Sequence, residues 1–138
     1  MHVIIGGAYN GKRKYVMERL GNRPYEIYEG EIPEGAFSKQ EYVVITDFEK
    51  LVLSHRNHDE LEIAELIARS LKQLARQTNV ICICNDIGRG IVPMEKEQRF
   101  IRDACGRVYQ RLFQEADAVT RVWYGIPEVI KKGMDAVL

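Results

Sequence analysis

Short apolar runs alternate with longer amphipathic stretches along this chain. Val3-Ile4-Ile5 reads as a buried strand that ends at Gly6-Gly7, where a tight loop follows. Tyr15, Val16 and Leu20 then fall at helical spacing, and Gly21-Asn22 supplies the stop. Residues 22–41 are the least regular part, punctuated by Pro24, Gly30, Pro33 and Gly35 and made acidic by Glu26, Glu29, Glu31 and Glu34. Tyr25, Ile27 and Tyr28 fit a short edge strand there. Tyr42-Val43-Val44-Ile45-Thr46 is a clearer strand, rich in β-branched and aromatic residues. From Asp59 to Gln77 the positions Leu61, Ala64, Ile67, Leu71 and Leu74 form one helical stripe, with Asn57 or Asp59 as the cap. Val80-Ile81-Cys82-Ile83-Cys84 is an unbroken apolar strand of the kind covered on both faces. Glu95 to Ala116 reads as a second long helix, Val119 to Tyr124 as another strand, and Pro127 as the start of a short helix through Met134.

Alternating strands and helices, with strands that are apolar throughout, predict an α/β fold: a mainly parallel sheet flanked by helices and joined by right-handed crossovers. With 138 residues and no linker or internal repeat, 1–138 is expected to form a single domain. Twenty basic residues balance twenty acidic ones. That balance argues against non-specific attraction to nucleic acid or to a membrane surface, and no run approaches the roughly 20 apolar residues of a membrane span. Cys82 and Cys84 would share one strand face with parallel side chains, a poor geometry for bridging, so reduced thiols in a cytoplasmic protein are expected.

In such a sheet, ligands bind beyond the carboxyl ends of the strands. Gly6-Gly7-Ala8-Tyr9-Asn10-Gly11-Lys12 has the G-x-x-x-x-G-K spacing of a phosphate-binding loop, between a strand and a helix as the motif requires. Glycines let successive backbone N–H groups face one anion, while the lysine and the helix N-terminus add positive charge. Arg13 stands where the motif has Ser or Thr to help hold Mg²⁺; a guanidinium cannot ligate a metal but can pair with a phosphate. Asp47, closing the strand at 42–46, is the candidate to orient Mg²⁺ or its water shell. Asn85-Asp86-Ile87-Gly88-Arg89-Gly90-Ile91-Val92-Pro93 is a third unusual segment at the same edge, whose two glycines, arginine and paired amide and carboxylate suggest a surface shaped for a ligand. Behind it, Arg99, Arg102, Gly106 and Gln110 lie along one broad helix face, and a glycine in mid-helix hints at close packing.

The 85–93 segment, continued by Arg102-Asp103-Ala104-Cys105-Gly106-Arg107-Val108-Tyr109-Gln110-Arg111-Leu112 and by Ala116-Asp117 and Gly125, resembles the adenosylcobinamide kinase / adenosylcobinamide-phosphate guanylyltransferase family. Gly6-Gly7-Ala8 with Gly11-Lys12, and Asp47 with Leu51, Leu53 and Ser54, match further motifs of that family. The resemblance implies a fold like that of the P-loop nucleoside triphosphate hydrolases and a place in cobalamin assembly or salvage. It also implies ATP or GTP as co-substrate with Mg²⁺, adenosylcobinamide as acceptor, and a homotrimer. Lys12, Asp47 and Asp86 would then serve catalysis, and Gly6 to Arg13 would hold the nucleotide. Arg13, Tyr109 and Met94 depart from the family pattern. The segment that carries the family's guanylylated histidine is shortened, with no histidine between His2 and His55. The kinase step is therefore expected to survive better than guanylyl transfer. The alternative is a catalytically inactive relative that binds a nucleotide or a corrinoid in a sensing or scaffolding role.

Overall fold

The protein is described here by a computed structural model covering residues 1–8, 10–87, 95–133 and 138. In chain order the elements are β1 (His2–Gly6), α1 (Lys12–Leu20), β2 (Tyr25–Glu29), β3 (Tyr42–Thr46) and α2 (Phe48–Leu53). They continue as α3 (Glu60–Gln77), β4 (Asn79–Asn85), α4 (Lys96–Glu115), β5 (Ala118–Trp123) and β6 (Ile126–Lys131). The strands form one six-stranded sheet in the order β2-β3-β4-β1-β5-β6. Every pairing is parallel except β5–β6, so the predicted mainly parallel α/β sheet is what forms.

Strand alternation sorts the core into two layers. Val3, Val43, Ile45, Val80, Cys82, Cys84 and Val119 pack beneath α2, α3 and α4. On the opposite face Ile4, Val44, Ile81, Ile83 and Val122 meet Val16 and Leu20 of α1. Cys82 and Cys84 do share a face, and all three cysteines are free and buried. Burial pushes the thiols of Cys82 and Cys105 up to about 12 and that of Cys84 in the same direction, which leaves them as inert packing groups.

Several local expectations change or sharpen. The residues after Pro127 are not helical: Tyr124 (φ 50°) and Gly125 (φ 79°) form a two-residue turn, and β6 returns antiparallel with Ile126 opposite Trp123. Positive φ at both turn residues matches the twist of a hairpin, and Pro127 is tolerated because β6 is an edge strand. In α3 the buried stripe is Ile63, Ala64, Ile67, Ala68, Leu71 and Leu74, whereas Leu61 lies roughly a quarter-turn off its centre and is 65 % exposed. Asp59, not Asn57, is the cap, its side chain accepting from Glu62 N–H. Gly106 is exposed, and a Cβ there would meet nothing within 4 Å, so close packing is not its reason. The helix α2 was not foreseen; Asp47 caps it and Phe48, Leu51 and Val52 bury its one apolar side.

The arginines of α4 are largely tied to neighbouring acids. Arg107 lies 3.7 Å from Glu60 and Arg111 2.5 Å from Glu65, both on α3, and Arg102 pairs with Asp103 at 2.9 Å. The first two are exposed pairs that orient the α3–α4 packing more than they stabilise it, and the third stays within α4.

Two stability effects follow. Gly106→Ala relieves a helix-interior glycine without a clash and is expected to raise unfolding stability by about 1 kcal/mol, read from a chemical-denaturation midpoint; a loss would show the face is occupied. His2 is buried on β1 with Nε2 2.9 Å from Thr120 Oγ1, and burial holds its pKa down at about 4. The unfolded chain therefore takes up this proton first, near pH 6.5, while the folded chain stays neutral. Stability is full above that pH and falls towards pH 4, with a limiting slope of about 1.4 kcal/mol per pH unit from this residue. The slope over that window should flatten in His2→Gln; an unchanged slope would clear His2 of the effect.

Candidate functional site

The turn from β1 to α1 is built around atoms that leave no room for side chains. A Cβ on Gly6 would fall 2.3 Å from the Val122 carbonyl oxygen of β5, so only glycine lets the strand end pass there. Beneath it runs the stem of Lys12, whose Cγ and Cδ lie 3.4 Å from that Cβ position. Gly11 precedes the helix at φ 84°, in the left-handed region. Asn10 N–H donates to Gly7 C=O at 3.3 Å, and Gly125 N–H of the β5–β6 turn donates to Asn10 C=O at 2.8 Å. The loop is thus braced from both sides.

Lys12 is 6 % exposed, and its Nζ donates to the Gly7 carbonyl at 2.6 Å. Burial lowers its pKa below the ordinary lysine value. Among the described residues no carboxylate forms an ion pair with it. A buried ammonium without a counter-charge is unfavourable, and an arriving anion relieves it. The first turn of α1 adds to the imbalance: it holds Lys12, Arg13 and Lys14 and no acidic residue, with no side-chain cap. Cations at a helix N-terminus oppose the macrodipole, so this end of the molecule is prepared for negative charge from elsewhere.

Beside the loop opens a cavity of about 690 Å³ over the carboxyl ends of β4, β3 and β2. Its walls include Gly11, Lys12, Arg13, Lys14, Glu29, Thr46, Asp47, Glu49, Asn85 and Tyr109. The parallel register sets this meeting: Gly6 stands opposite Asn85, and Glu29 opposite Thr46. Asp47 is exposed at the rim at φ 56°, one oxygen accepting Lys50 N–H at 3.2 Å. Arg13 reaches Glu29 at 2.9 Å. Tyr109 from α4 packs edge-on against Phe48, with ring centroids 6.1 Å apart. Its hydroxyl lies near the Cys105 thiol without a hydrogen bond of normal geometry, and Thr46 Oγ1 is likewise unpartnered among the described residues.

Of the residues singled out from sequence, Gly11, Lys12, Arg13 and Asp47 are brought together at the cavity wall, while Gly6, Gly7, Ala8 and Asn10 form the loop behind it. Asp86 does not line the cavity; its N–H donates to Gly6 C=O at 2.8 Å and ties the end of β4 to the loop. Tyr9, residues 88–93 of the third segment and Met94 lie outside the described residues. His55 and His58 do not line the cavity either: their Nδ1 atoms sit 3.0 Å from Leu51 O and from Glu62 Oε2. Sequence reasoning missed Glu29 and Glu49, and named Thr46 only as the strand residue before Asp47. The available signal was that Glu29 and Thr46 each close a strand at the same sheet edge as Gly6.

A family model for cobinamide kinase / cobinamide phosphate guanyltransferase matches residues 32–130. A protein of Salmonella typhimurium described as a bifunctional adenosylcobalamin biosynthesis protein CobU is 42% identical over 73 residues, which is 53% of this chain and 38% of that protein. Its namesake in Escherichia coli is 40% identical over 70 residues, 51% of this chain and 37% of that protein. The matched stretch thus spans well under half the length of these relatives. The family model, in contrast, covers most of the chain, from the acidic segment after β2 to the last strand. The chain belongs to the cobinamide kinase / cobinamide phosphate guanyltransferase family.

Proposed function

We propose that the chain acts in adenosylcobalamin biosynthesis or salvage as a nucleotide-dependent kinase, using ATP or GTP with Mg²⁺ to phosphorylate adenosylcobinamide. The observation that carries the proposal is the buried, carboxylate-free ammonium of Lys12 at a strand-to-helix loop, next to a cavity with Asp47 at its rim. Residues Gly6 to Arg13 would cradle the phosphates, and Lys12 would neutralise the outer ones. When bound, Mg²⁺ would neutralise charge on the outer phosphates, and Asp47 would hold it. The acceptor is the hydroxyl of the corrinoid's aminopropanol arm: its oxygen bonds to the terminal phosphorus and gives up its proton to water, the bond to the bridging oxygen breaks, and the nucleoside diphosphate leaves. Such a transfer asks for positioning and charge neutralisation, not a protein nucleophile. Asp86 would act indirectly, by fixing the loop through its backbone. Guanylyl transfer is left out, because a covalent guanylyl group needs an imidazole at the cavity and neither His55 nor His58 lines it. Membership of the family also favours a cytoplasmic homotrimer.

A second reading, binding without turnover, is favoured by Arg13 in the place of a metal-binding hydroxyl. Against it stands the Arg13–Glu29 pair, which spends that cation on the protein's own carboxylate.

The test incubates the purified chain with adenosylcobinamide, labelled ATP or GTP, and Mg²⁺. Labelled phosphocorrinoid is expected, lost with chelator and reduced at least a hundredfold in Lys12→Met, since one charge-stabilising donor contributes about that much. Tight nucleotide binding that ignores chelator and gives no product would instead establish the second reading. Glu29→Gln frees Arg13 and should weaken the dependence of nucleotide affinity on Mg²⁺; an unaltered dependence would show that the pair does not control it.

A further inference from the structure

The surface beside the loop carries an aromatic pair that the proposed chemistry does not use. Trp123 and Tyr124 are 59 % and 75 % exposed, and their rings lie together with centroids 5.7 Å apart at 48°. Exposed aromatic rings of this size are unusual in a solvated turn. The turn is not a remote one. Its second residue, Gly125, donates its N–H to Asn10 C=O at 2.8 Å, and its backbone lies 3.4 Å from where Gly11 would bear a Cβ. The residue that follows Tyr124 thus touches the loop directly through its backbone.

The backbone adds a second observation. Tyr124 occupies φ 50°, a conformation that asparagine or glycine adopts far more readily, and Asn-Gly is the favoured pair for such a turn. A tyrosine here exchanges local ease for a ring at this place. The two sides of the loop also differ in character. Towards β3 lies the cavity with Glu29, Asp47 and Glu49, suited to a metal and to the group being transferred. Towards β5 and β6 the loop's neighbour is the aromatic turn, which meets it through the Gly125 backbone and does not line that cavity. A nucleotide whose phosphates fill the loop has two ends; the rings on the cavity side, Phe48 and Tyr109, are buried at 2 % and 9 % exposure, whereas those of the turn are open to solvent.

We propose that the Trp123–Tyr124 ring pair is the platform on which the purine base of the bound nucleotide stacks. This rests on the nucleotide-binding reading above. Stacking is tolerant of base identity because every purine has a π-face, so the platform would accept ATP and GTP alike and leave their discrimination to other groups.

Trp123 is the only tryptophan in the chain, which gives the test a direct readout. The intact protein is titrated with ATP, with GTP and with inorganic tripolyphosphate, following tryptophan emission and heat of binding in parallel. ATP and GTP should both change the emission saturably, whereas tripolyphosphate should bind without that change. Tyr124→Asn should keep or raise the melting temperature, since its backbone suits the turn, yet weaken ATP and GTP about fivefold or more. Trp123→Ala should weaken them comparably by calorimetry, with tripolyphosphate within about twofold of the parent in both variants. If tripolyphosphate binds and neither variant alters ATP or GTP affinity, the platform is wrong and the loop reading stands. If neither ATP nor tripolyphosphate binds the parent protein, the loop reading fails and the platform with it. An emission change that follows protein concentration and self-association in sedimentation, and not nucleotide, would overturn the platform by assigning the rings to a second copy of the chain.

Discussion

A desolvated ammonium held by its own loop organises this molecule's chemical end. Lys12 lies under the chain between β1 and α1, bonded to the Gly7 carbonyl and without an ion-pair partner among the described residues. A lysine placed there for stability alone would be a poor choice, because burying a charge costs several kcal/mol that one neutral acceptor does not return. The arrangement makes physical sense as half of a pair whose other half arrives from solution. The cationic first turn of α1 argues in the same direction, since it is unfavourable for the isolated helix and favourable for a helix that meets an anion.

Holding such a charge requires a stiff frame, and three strands supply it. Gly6 lets β1 press against the Val122 carbonyl of β5, the Asp86 amide ties the end of β4 to Gly6, and the Gly125 amide ties the β5–β6 turn to Asn10. The loop is therefore fixed by backbone contacts, with little dependence on which side chains surround it. That explains how the loop geometry can accompany unusual neighbours such as Arg13 and Tyr109.

Wherever a hydrophobic period was long or flanked by clear stops, the sequence revealed the element: β1, β3, β4, α3 and α4 all stand within a residue or two of their expected places. The parallel sheet followed, because apolar strands alternating with amphipathic helices have few other solutions. The C-terminal hairpin was illegible for a specific reason. Pro127 is a common first residue of a helix, and a Tyr-Gly turn lacks the asparagine that usually announces a two-residue hairpin. Short α2 was hidden because Asp47 could equally close a loop. For the site, local spacing exposed Gly11, Lys12 and Arg13, but Glu29, Glu49 and Tyr109 reach the cavity only through strand order and helix packing, which no local pattern encodes.

The charge inventory of the cavity bears on whether Arg13 can stand in for a metal. Lys12, Arg13 and Lys14 face Glu29, Asp47 and Glu49, so its ionised side chains sum to zero. A triphosphate entering a neutral cavity brings more negative charge than Lys12 and the loop amides neutralise. Arg13 would help only by leaving Glu29, and at 2.9 Å the carboxylate competes with the phosphate for the same guanidinium. Because that pair is exposed, the exchange costs little, about 1 kcal/mol or less, but it also gains little, since Glu29 is then left unpaired beside the new anion. A divalent cation near Asp47 would meet the excess without that penalty. On the kinase reading proposed above, support for such a cation would therefore fall to the β3 side of the cavity, at Asp47, because Arg13 offers it no hydroxyl.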